Sequence, residues 1–135
     1  MNFVLDCSIT MAWCFEDEAT EYTDSLLMLL REGYVRVPSI WLLEVANVLA
    51  LSERRGRTNQ AKITRFLHIL NDLPIAVDAK TEEKAFTDIL TLARSNRLSA
   101  YDAAYLELAL RAGLPLATLD EKLKKVAGNL GVALL

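Results

Sequence analysis

Hydrophobic and polar residues follow two different periods along the chain. Short apolar runs that end at proline, glycine or an acidic residue are typical of buried parallel strands, and longer runs with apolar residues every three or four positions are typical of helices. The short runs predict strands at residues 2–6, 34–37, 74–77, 114–119 and 131–134. The longer runs predict helices at residues 16–31, 40–54, 58–72, 80–95, 99–112 and 121–127. This alternation predicts a single α/β domain over residues 1–135, with a parallel sheet and helices on both faces.

Composition supports one domain with a real core, because 53% of the 135 residues are hydrophobic. No apolar run reaches the roughly 18 residues that a membrane span needs, and no basic segment precedes an apolar run at the N-terminus. We therefore expect no membrane segment, no signal peptide and a cytoplasmic location. Cys7 and Cys14 fit neither a zinc pattern nor a disulfide framework, so reduced thiols are expected. The net charge of −3 does not indicate nucleic-acid binding, although local patches of positive charge matter more for such binding than the net charge.

Acidic residues from four distant segments stand where ligands bind in parallel sheets. Asp6 ends the first predicted strand, Asp120 follows the fourth, Asp102 opens the helix before that strand, and Glu44 lies one turn into the helix after the second strand. Ligands of such sheets bind beyond the carboxyl ends of the strands, so the four carboxylates could converge there. Simpler explanations exist for three of them: Asp6 could turn the chain toward solvent, and Asp102 and Asp120 could cap helices. Glu44 is harder to explain, because its neighbours on the helix are apolar and no Arg or Lys lies within a helical turn.

Converging carboxylates repel one another, and a divalent cation would relieve that repulsion. A ligand set of oxygen atoms without His or Cys favours Mg²⁺ or Mn²⁺ over zinc. The single histidine, His68, lies on another predicted helix. A Ser-His-Asp or Cys-His mechanism is therefore not supported.

Four motifs, taken together and in this order, resemble the PIN domain family, and most closely its VapC toxins from prokaryotic toxin–antitoxin modules. They are V-L-D-C-S with Asp6 and Ser8, P-S-I-W-L-L-E-V-A-N-V-L with Glu44, S-A-Y-D-A-A-Y-L-E-L-A with Asp102, and L-A-T-L-D with Thr118 and Asp120. The resemblance runs essentially from end to end of the chain. It implies a PIN-like three-layer sandwich whose central five-stranded parallel sheet has the order 3-2-1-4-5.

The resemblance also implies an activity and a set of partners. The implied activity is that of an Mg²⁺-dependent endoribonuclease in which Mn²⁺ can substitute for Mg²⁺, and metal-activated water leaves a 5′-phosphate and a 3′-hydroxyl. The implied catalytic and metal-binding residues are Asp6, Glu44, Asp102 and Asp120, with Ser8 and Thr118 supporting the carboxylates. The implied partners are an RNA substrate, a cognate antitoxin of a type II module and a second copy of the chain. Some relatives carry a further acidic ligand just beyond the T-x-D motif, where Glu121 and Lys122 stand here.

An acidic pocket repels RNA, so basic residues elsewhere must hold the phosphate backbone. The predicted RNA-binding track is a cluster of positive charges within twelve residues: Arg54, Arg55, Arg57, Lys62 and Arg65. An ordinary solvated face is the alternative explanation for this cluster. Arg94 and Arg97, just ahead of the Asp102 helix, form a second candidate.

Three alternatives to the nuclease can be weighed from the residues alone. A receiver-like signalling domain would use Asp78, at the end of the third predicted strand, as phospho-acceptor, but Cys7 stands where such domains pair a second acid with Asp6. A phosphatase of the haloacid dehalogenase kind would need an acid where Ser8 stands. A PIN-like module that only binds a partner is the other alternative. Modification by acetyl phosphate would favour the receiver, and metal-dependent RNA cleavage would favour the nuclease.

Overall fold

Four short parallel strands form the central sheet in the computed structural model, which describes residues 1–135. The strands are β1 (Phe3–Leu5), β2 (Val35–Val37), β3 (Ile75–Val77) and β4 (Leu116–Ala117). The helices are α1 (Cys7–Cys14), α2 (Glu21–Leu29), α3 (Ile40–Arg54), α4 (Gln60–Asp72), α5 (Thr81–Lys84), α6 (Leu90–Asn96), α7 (Ala100–Ala112) and α8 (Glu121–Asn129). A 3-10 turn (Glu16–Glu18) precedes α2, and a π-helical segment (Ala85–Ile89) joins α5 to α6. No helix is both long enough and apolar enough to cross a bilayer.

The strand order is β3-β2-β1-β4, so the parallel α/β architecture and the 3-2-1-4 part of the predicted order are confirmed. The predicted fifth strand is wrong. Residues 131–134 run beside β4 but form only one isolated parallel bridge, between Leu116 and Leu134. Two hydrogen bonds hold them there: the Leu116 amide donates to the Ala133 carbonyl at 2.9 Å, and the Leu135 amide donates to the Leu116 carbonyl at 3.2 Å. Because β4 is only two residues long, it offers too short an edge for a longer ladder.

Helix α1 is the element that the hydrophobic pattern does not predict. The chain passes from β1 into α1 at Asp6, whose side chain accepts a hydrogen bond from the Ser8 amide and so caps the helix. The predicted helix at 16–31 is shorter, because the chain makes a 3-10 turn and restarts at Thr20, which forms a capping box with Thr23. The predicted helix at 80–95 is interrupted by the π-helical segment.

The hydrophobic core lies around β1, whose three residues are fully buried, and around α7. Residues 103–109 of α7 are all buried, because the helix packs against β1, β4, α6 and α8. Tyr105 is 0% exposed and belongs to the largest fully buried side chains. This burial fixes the position of α7, and therefore of Asp102 in its first turn.

A buried ion network holds the end of β3 against α7. Asp78 is 5% exposed, and its carboxylate accepts hydrogen bonds from Arg36 at 2.9 Å and from Arg111 at 2.7 and 3.1 Å. Arg111 also donates to Glu107 at 2.8 and 2.9 Å. The Arg111 hydrogen bond, more than any other contact, lowers the pKa of Asp78. A phospho-acceptor must reach a phosphodonor, so this buried carboxylate with two arginine partners does not support the receiver alternative.

Candidate active site

Asp6 lies at the centre of the sheet, directly after β1. Its amide donates to the Ala117 carbonyl at 3.1 Å, which places it beside the end of β4. The residue is 6% exposed. Its carboxylate accepts hydrogen bonds from the Ser8 hydroxyl at 2.5 Å and from the Thr118 hydroxyl at 2.8 Å, both on Oδ2. Burial raises the pKa of Asp6, and the hydrogen bonds from Ser8 and Thr118 act in the opposite direction.

The Ser8 and Thr118 hydroxyls join the segment after β1 to the segment after β4. Besides donating to Asp6, the Ser8 hydroxyl accepts a hydrogen bond from the Leu119 amide at 3.0 Å. The Thr118 hydroxyl accepts from the Asp120 amide at 3.1 Å. The two hydroxyls therefore fix the backbone on which Asp120 stands as well as the Asp6 carboxylate.

Asp102 and Asp120 both occupy the N-terminal ends of helices. Asp120 caps α8, accepting a hydrogen bond from the Leu123 amide at 2.9 Å. Asp102 lies in the first turn of α7, and its amide donates to the hydroxyl of Ser99 at 3.1 Å. The capping explanation therefore applies to Asp120, although it does not exclude a second role. In α7 the capping side chain is that of Ser99, and Asp102 contributes its backbone amide. Burial raises the pKa of Asp102, and the negative charges of Asp120 and Asp6 raise it further.

Glu44 lies half-buried on α3, and its partner is a tyrosine rather than a basic residue. The Tyr105 hydroxyl donates to Glu44 Oε1 at 2.6 Å. Burial raises the pKa of Glu44, the Tyr105 hydrogen bond lowers it, and the charges of Asp6 and Asp102 raise it again. Burial and the neighbouring carboxylate also raise the pKa of the Tyr105 phenol, so this hydroxyl stays a donor at neutral pH.

The four predicted acids thus share one electrostatic neighbourhood. The negative charges of Asp6 and Asp102 raise the pKa of Glu44, and those of Asp120 and Asp6 raise the pKa of Asp102. In the side-chain conformations of this structure, however, no group of three or more acidic, His or Cys side chains is arranged to ligate one metal ion together. The donors fit Mg²⁺ in chemistry, because they are carboxylate oxygens supported by hydroxyls. Hydrogen bonds partly explain why these carboxylates do not converge on one point, since Asp6 Oδ2 and Glu44 Oε1 both accept from hydroxyl groups.

Two residues of this neighbourhood are absent from the sequence prediction. Tyr105 is one of them. The only feature of the sequence that points to it is its position three residues after Asp102, on the same face of α7. Lys122 is the other. Its ammonium donates to the Arg97 carbonyl, and its positive charge lowers the pKa of Asp102 against the larger effect of burial.

The predicted RNA-binding track divides into free and paired residues. Arg54, Arg55, Lys62 and Arg65 are exposed. Arg57 is paired instead: its guanidinium donates to Asp17 at 2.8 Å and to Glu18 at 2.7 Å, and lies 3.7 Å from the centre of the Phe15 ring. Arg54 is ten residues beyond Glu44 on α3, which corresponds to about 15 Å along the helix axis. Arg54 therefore stands beside the acidic neighbourhood rather than within it.

The fold is a parallel α/β sheet, and four acidic residues from different segments share one electrostatic neighbourhood near its carboxyl edge. The family follows from sequence comparison: the chain belongs to the PIN domain family, whose model matches residues 3–129. This confirms the family suggested by the four motifs.

Comparison with individual proteins gives relatives of the VapC type. The chain is 28% identical over 123 residues to Ribonuclease VapC3 from Pyrobaculum aerophilum, and the match covers 91% of this chain and 92% of that protein. The fold is similar to the crystal structure of PAE2754 from the same organism, with a TM-score of 0.67, 24% identity, and coverage of 93% of this chain and 87% of the other. It is also similar to VapBC2 from Rickettsia felis bound to a DNA fragment from their promoter, with a TM-score of 0.68, 20% identity, and coverage of 100% and 98%.

Proposed function

We propose that the chain is an endoribonuclease of the VapC type, that its activity depends on Mg²⁺, and that it is the toxin of a type II toxin–antitoxin module in the cytoplasm. The observation that carries this proposal is the buried Asp6 carboxylate, held by Ser8 and Thr118 and close enough to Glu44 and Asp102 to raise the pKa of both. Ionised carboxylates are rarely buried together for stability alone. The similarity to Ribonuclease VapC3 supports the choice of RNA as substrate.

The proposed chemistry follows from the charges of the neighbourhood. Mg²⁺, or Mn²⁺ in its place, would activate a water molecule and neutralise the charge that develops on the scissile phosphate. Asp6, Asp102 and Asp120 would hold the metal, and Glu44 would be a further ligand or would orient the attacking water. Ser8 and Thr118 keep Asp6 in position, and their hydrogen bonds favour its ionised form. Hydrolysis in this way leaves a 5′-phosphate and a 3′-hydroxyl.

Incubation of the purified chain with total cellular RNA tests the proposal. We expect cleavage with Mg²⁺ or Mn²⁺ and none after EDTA treatment, and sequencing of the RNA ends would identify the target. The same experiment addresses the catalytically silent alternative, because a PIN-like module that only binds a partner leaves the RNA intact under every metal condition. RNA cleavage that continues in EDTA would contradict metal dependence.

The exposed cations beyond Glu44 give a separate prediction about RNA binding. Replacing Arg55 and Arg65 together by Gln should weaken RNA binding and lower the slope of log Kd against log salt by about 1.4, since each phosphate contact on a single strand contributes about 0.7. Arg31→Gln is the matched control, because Arg31 is exposed and lies on the turn after α2, outside the track. Binding titrations at several salt concentrations measure the slope. A slope that stays at the wild-type value would remove the two residues from the track.

We also propose that the chain binds an antitoxin and forms a homodimer. The similarity to VapBC2 supports a partner protein, and exposed apolar side chains support an interface: Phe86 is 91% exposed, Leu43 69% and Tyr101 59%. Co-expression with the neighbouring gene of its operon should yield a complex in which RNA cleavage is inhibited, and light scattering of the chain alone should give twice its 15.1 kDa mass. Recovery of this chain from the co-expression as a monomer that still cleaves RNA would contradict both the antitoxin partner and the homodimer.

A further inference from the structure

The hydrogen bond between Tyr105 and Glu44 joins α7 to α3 across 61 residues of sequence, and its two partners differ in freedom. Tyr105 is completely buried in the middle of α7, where residues 103–109 are all buried, so its ring cannot change orientation without moving the core. Glu44 is half-buried and has three rotatable side-chain bonds. In such a pair the immobile residue determines the position of the mobile one.

The place of Tyr105 on α7 relates this contact to Asp102. The two residues are three positions apart, so they lie on the same face of the helix, one turn from each other. One rigid helix therefore carries Asp102 and also the hydroxyl that holds Glu44.

We propose that Tyr105 is a positioning residue, whose hydroxyl holds the Glu44 carboxylate at a fixed place relative to Asp102 and thereby raises the affinity of the site for its divalent cation. This inference rests on the proposed metal-dependent function. Tyr105 is not a catalytic residue, because it acts through Glu44. Residues that orient metal ligands in this way typically contribute 10- to 100-fold to metal affinity or activity.

Direct binding of Mn²⁺ without RNA tests the proposal. Tyr105→Phe keeps the ring and removes only the hydroxyl, and we expect Mn²⁺ binding, followed by electron paramagnetic resonance, to weaken by about tenfold. Tyr22→Phe is the matched control: it removes a hydroxyl that donates at the same distance, 2.6 Å, to the Leu135 carbonyl far along the chain. We expect Tyr22→Phe to bind Mn²⁺ as the wild type does. Equal Mn²⁺ affinity in Tyr105→Phe and the wild type would overturn the proposal.

A double-mutant cycle separates positioning from a general effect on the fold. If Tyr105 acts through Glu44, then Tyr105→Phe should change Mn²⁺ affinity by less than about twofold in a Glu44→Gln background. An equal loss in both backgrounds would mean that the hydroxyl serves only the core, and would overturn the proposal. A wild-type protein that neither binds Mn²⁺ nor cleaves RNA would overturn the proposed function as well. If only the positioning role of Tyr105 is wrong, the wild-type protein still binds Mn²⁺ and cleaves RNA.

The wild-type protein offers a second measurement in case Tyr105→Phe does not fold. Burial and a short hydrogen bond slow the exchange of the Tyr105 hydroxyl proton, so it should be visible by nuclear magnetic resonance. Titration with Mg²⁺ should shift this resonance, because the acceptor of the hydrogen bond becomes part of the metal site. A resonance that stays in place while Mg²⁺ saturates the protein would overturn the proposal.

Discussion

Replacing Asp6 by Asn should reduce metal-dependent RNA cleavage by at least about 100-fold. The substitution removes one negative charge and keeps the size of the side chain, and metal-based charge stabilisation is worth several kcal/mol, with each 1.36 kcal/mol corresponding to a factor of ten in rate. The Asn side-chain oxygen still accepts hydrogen bonds from Ser8 and Thr118, so the local structure should persist. Single-turnover cleavage of a mapped RNA substrate measures the loss.

The control for this experiment is Asp24→Asn, because Asp24 is exposed on α2 and away from the site. It should leave the cleavage rate unchanged. Asp6→Asn should also be at least as stable as the wild type at pH 7. The pKa of Asp6 is raised in the folded protein, so the stability that depends on this group is present below pH 3.8 and is lost as the pH rises through the folded value. Full cleavage activity in Asp6→Asn would contradict the role assigned to this carboxylate.

Four acids could be singled out from sequence because their positions follow from topology. A residue that ends a strand or begins the following helix of a parallel sheet must lie near the carboxyl edge, whatever the packing of the interior. Asp6 and Asp120 satisfy that rule after β1 and β4, and both turn out to cap helices. The rule places backbone positions, and it does not give side-chain distances, which is why it does not foresee that Asp6 and Glu44 are engaged by hydroxyls.

Other features depend on tertiary contacts that leave no local pattern. Tyr105 fits an apolar helix equally well as a core residue, and only the tertiary fold brings its hydroxyl to Glu44. Helix α1 was missed because its residues follow β1 without a turn and it has no polar face to give a helical period. The fifth strand was predicted from an apolar run alone, although strand formation also requires a neighbour long enough to pair with. In the sequence Arg57 does not differ from its basic neighbours, because only the fold brings Asp17 and Glu18 beside it.

The largest effect on stability is expected at Asp78, outside the proposed active site. Asp78→Asn should lower the free energy of unfolding by about 3 kcal/mol, the low end of the range for breaking a buried ion pair, because Arg36 and Arg111 keep some access to water. For a domain of this size that corresponds to a decrease in Tm of roughly 10 °C. Asp88→Asn is the matched control, since the Asp88 pair with Lys84 is on the surface and should contribute less than about 1 kcal/mol.

The pH dependence of this difference distinguishes an ion-pair effect from a packing effect. The pKa of Asp78 is lowered in the folded protein, chiefly by the Arg111 hydrogen bond, so the stability that Asp78 provides is present above pH 3.8 and is lost as the pH falls through the lower folded value. The gap in Tm between wild type and Asp78→Asn should therefore narrow below pH 3.8, and a gap of constant size would instead indicate disturbed packing. Because Asp78 is not among the proposed metal ligands, the variant should retain RNA cleavage well below its Tm. Loss of cleavage in the folded variant would show that Asp78 takes part in function.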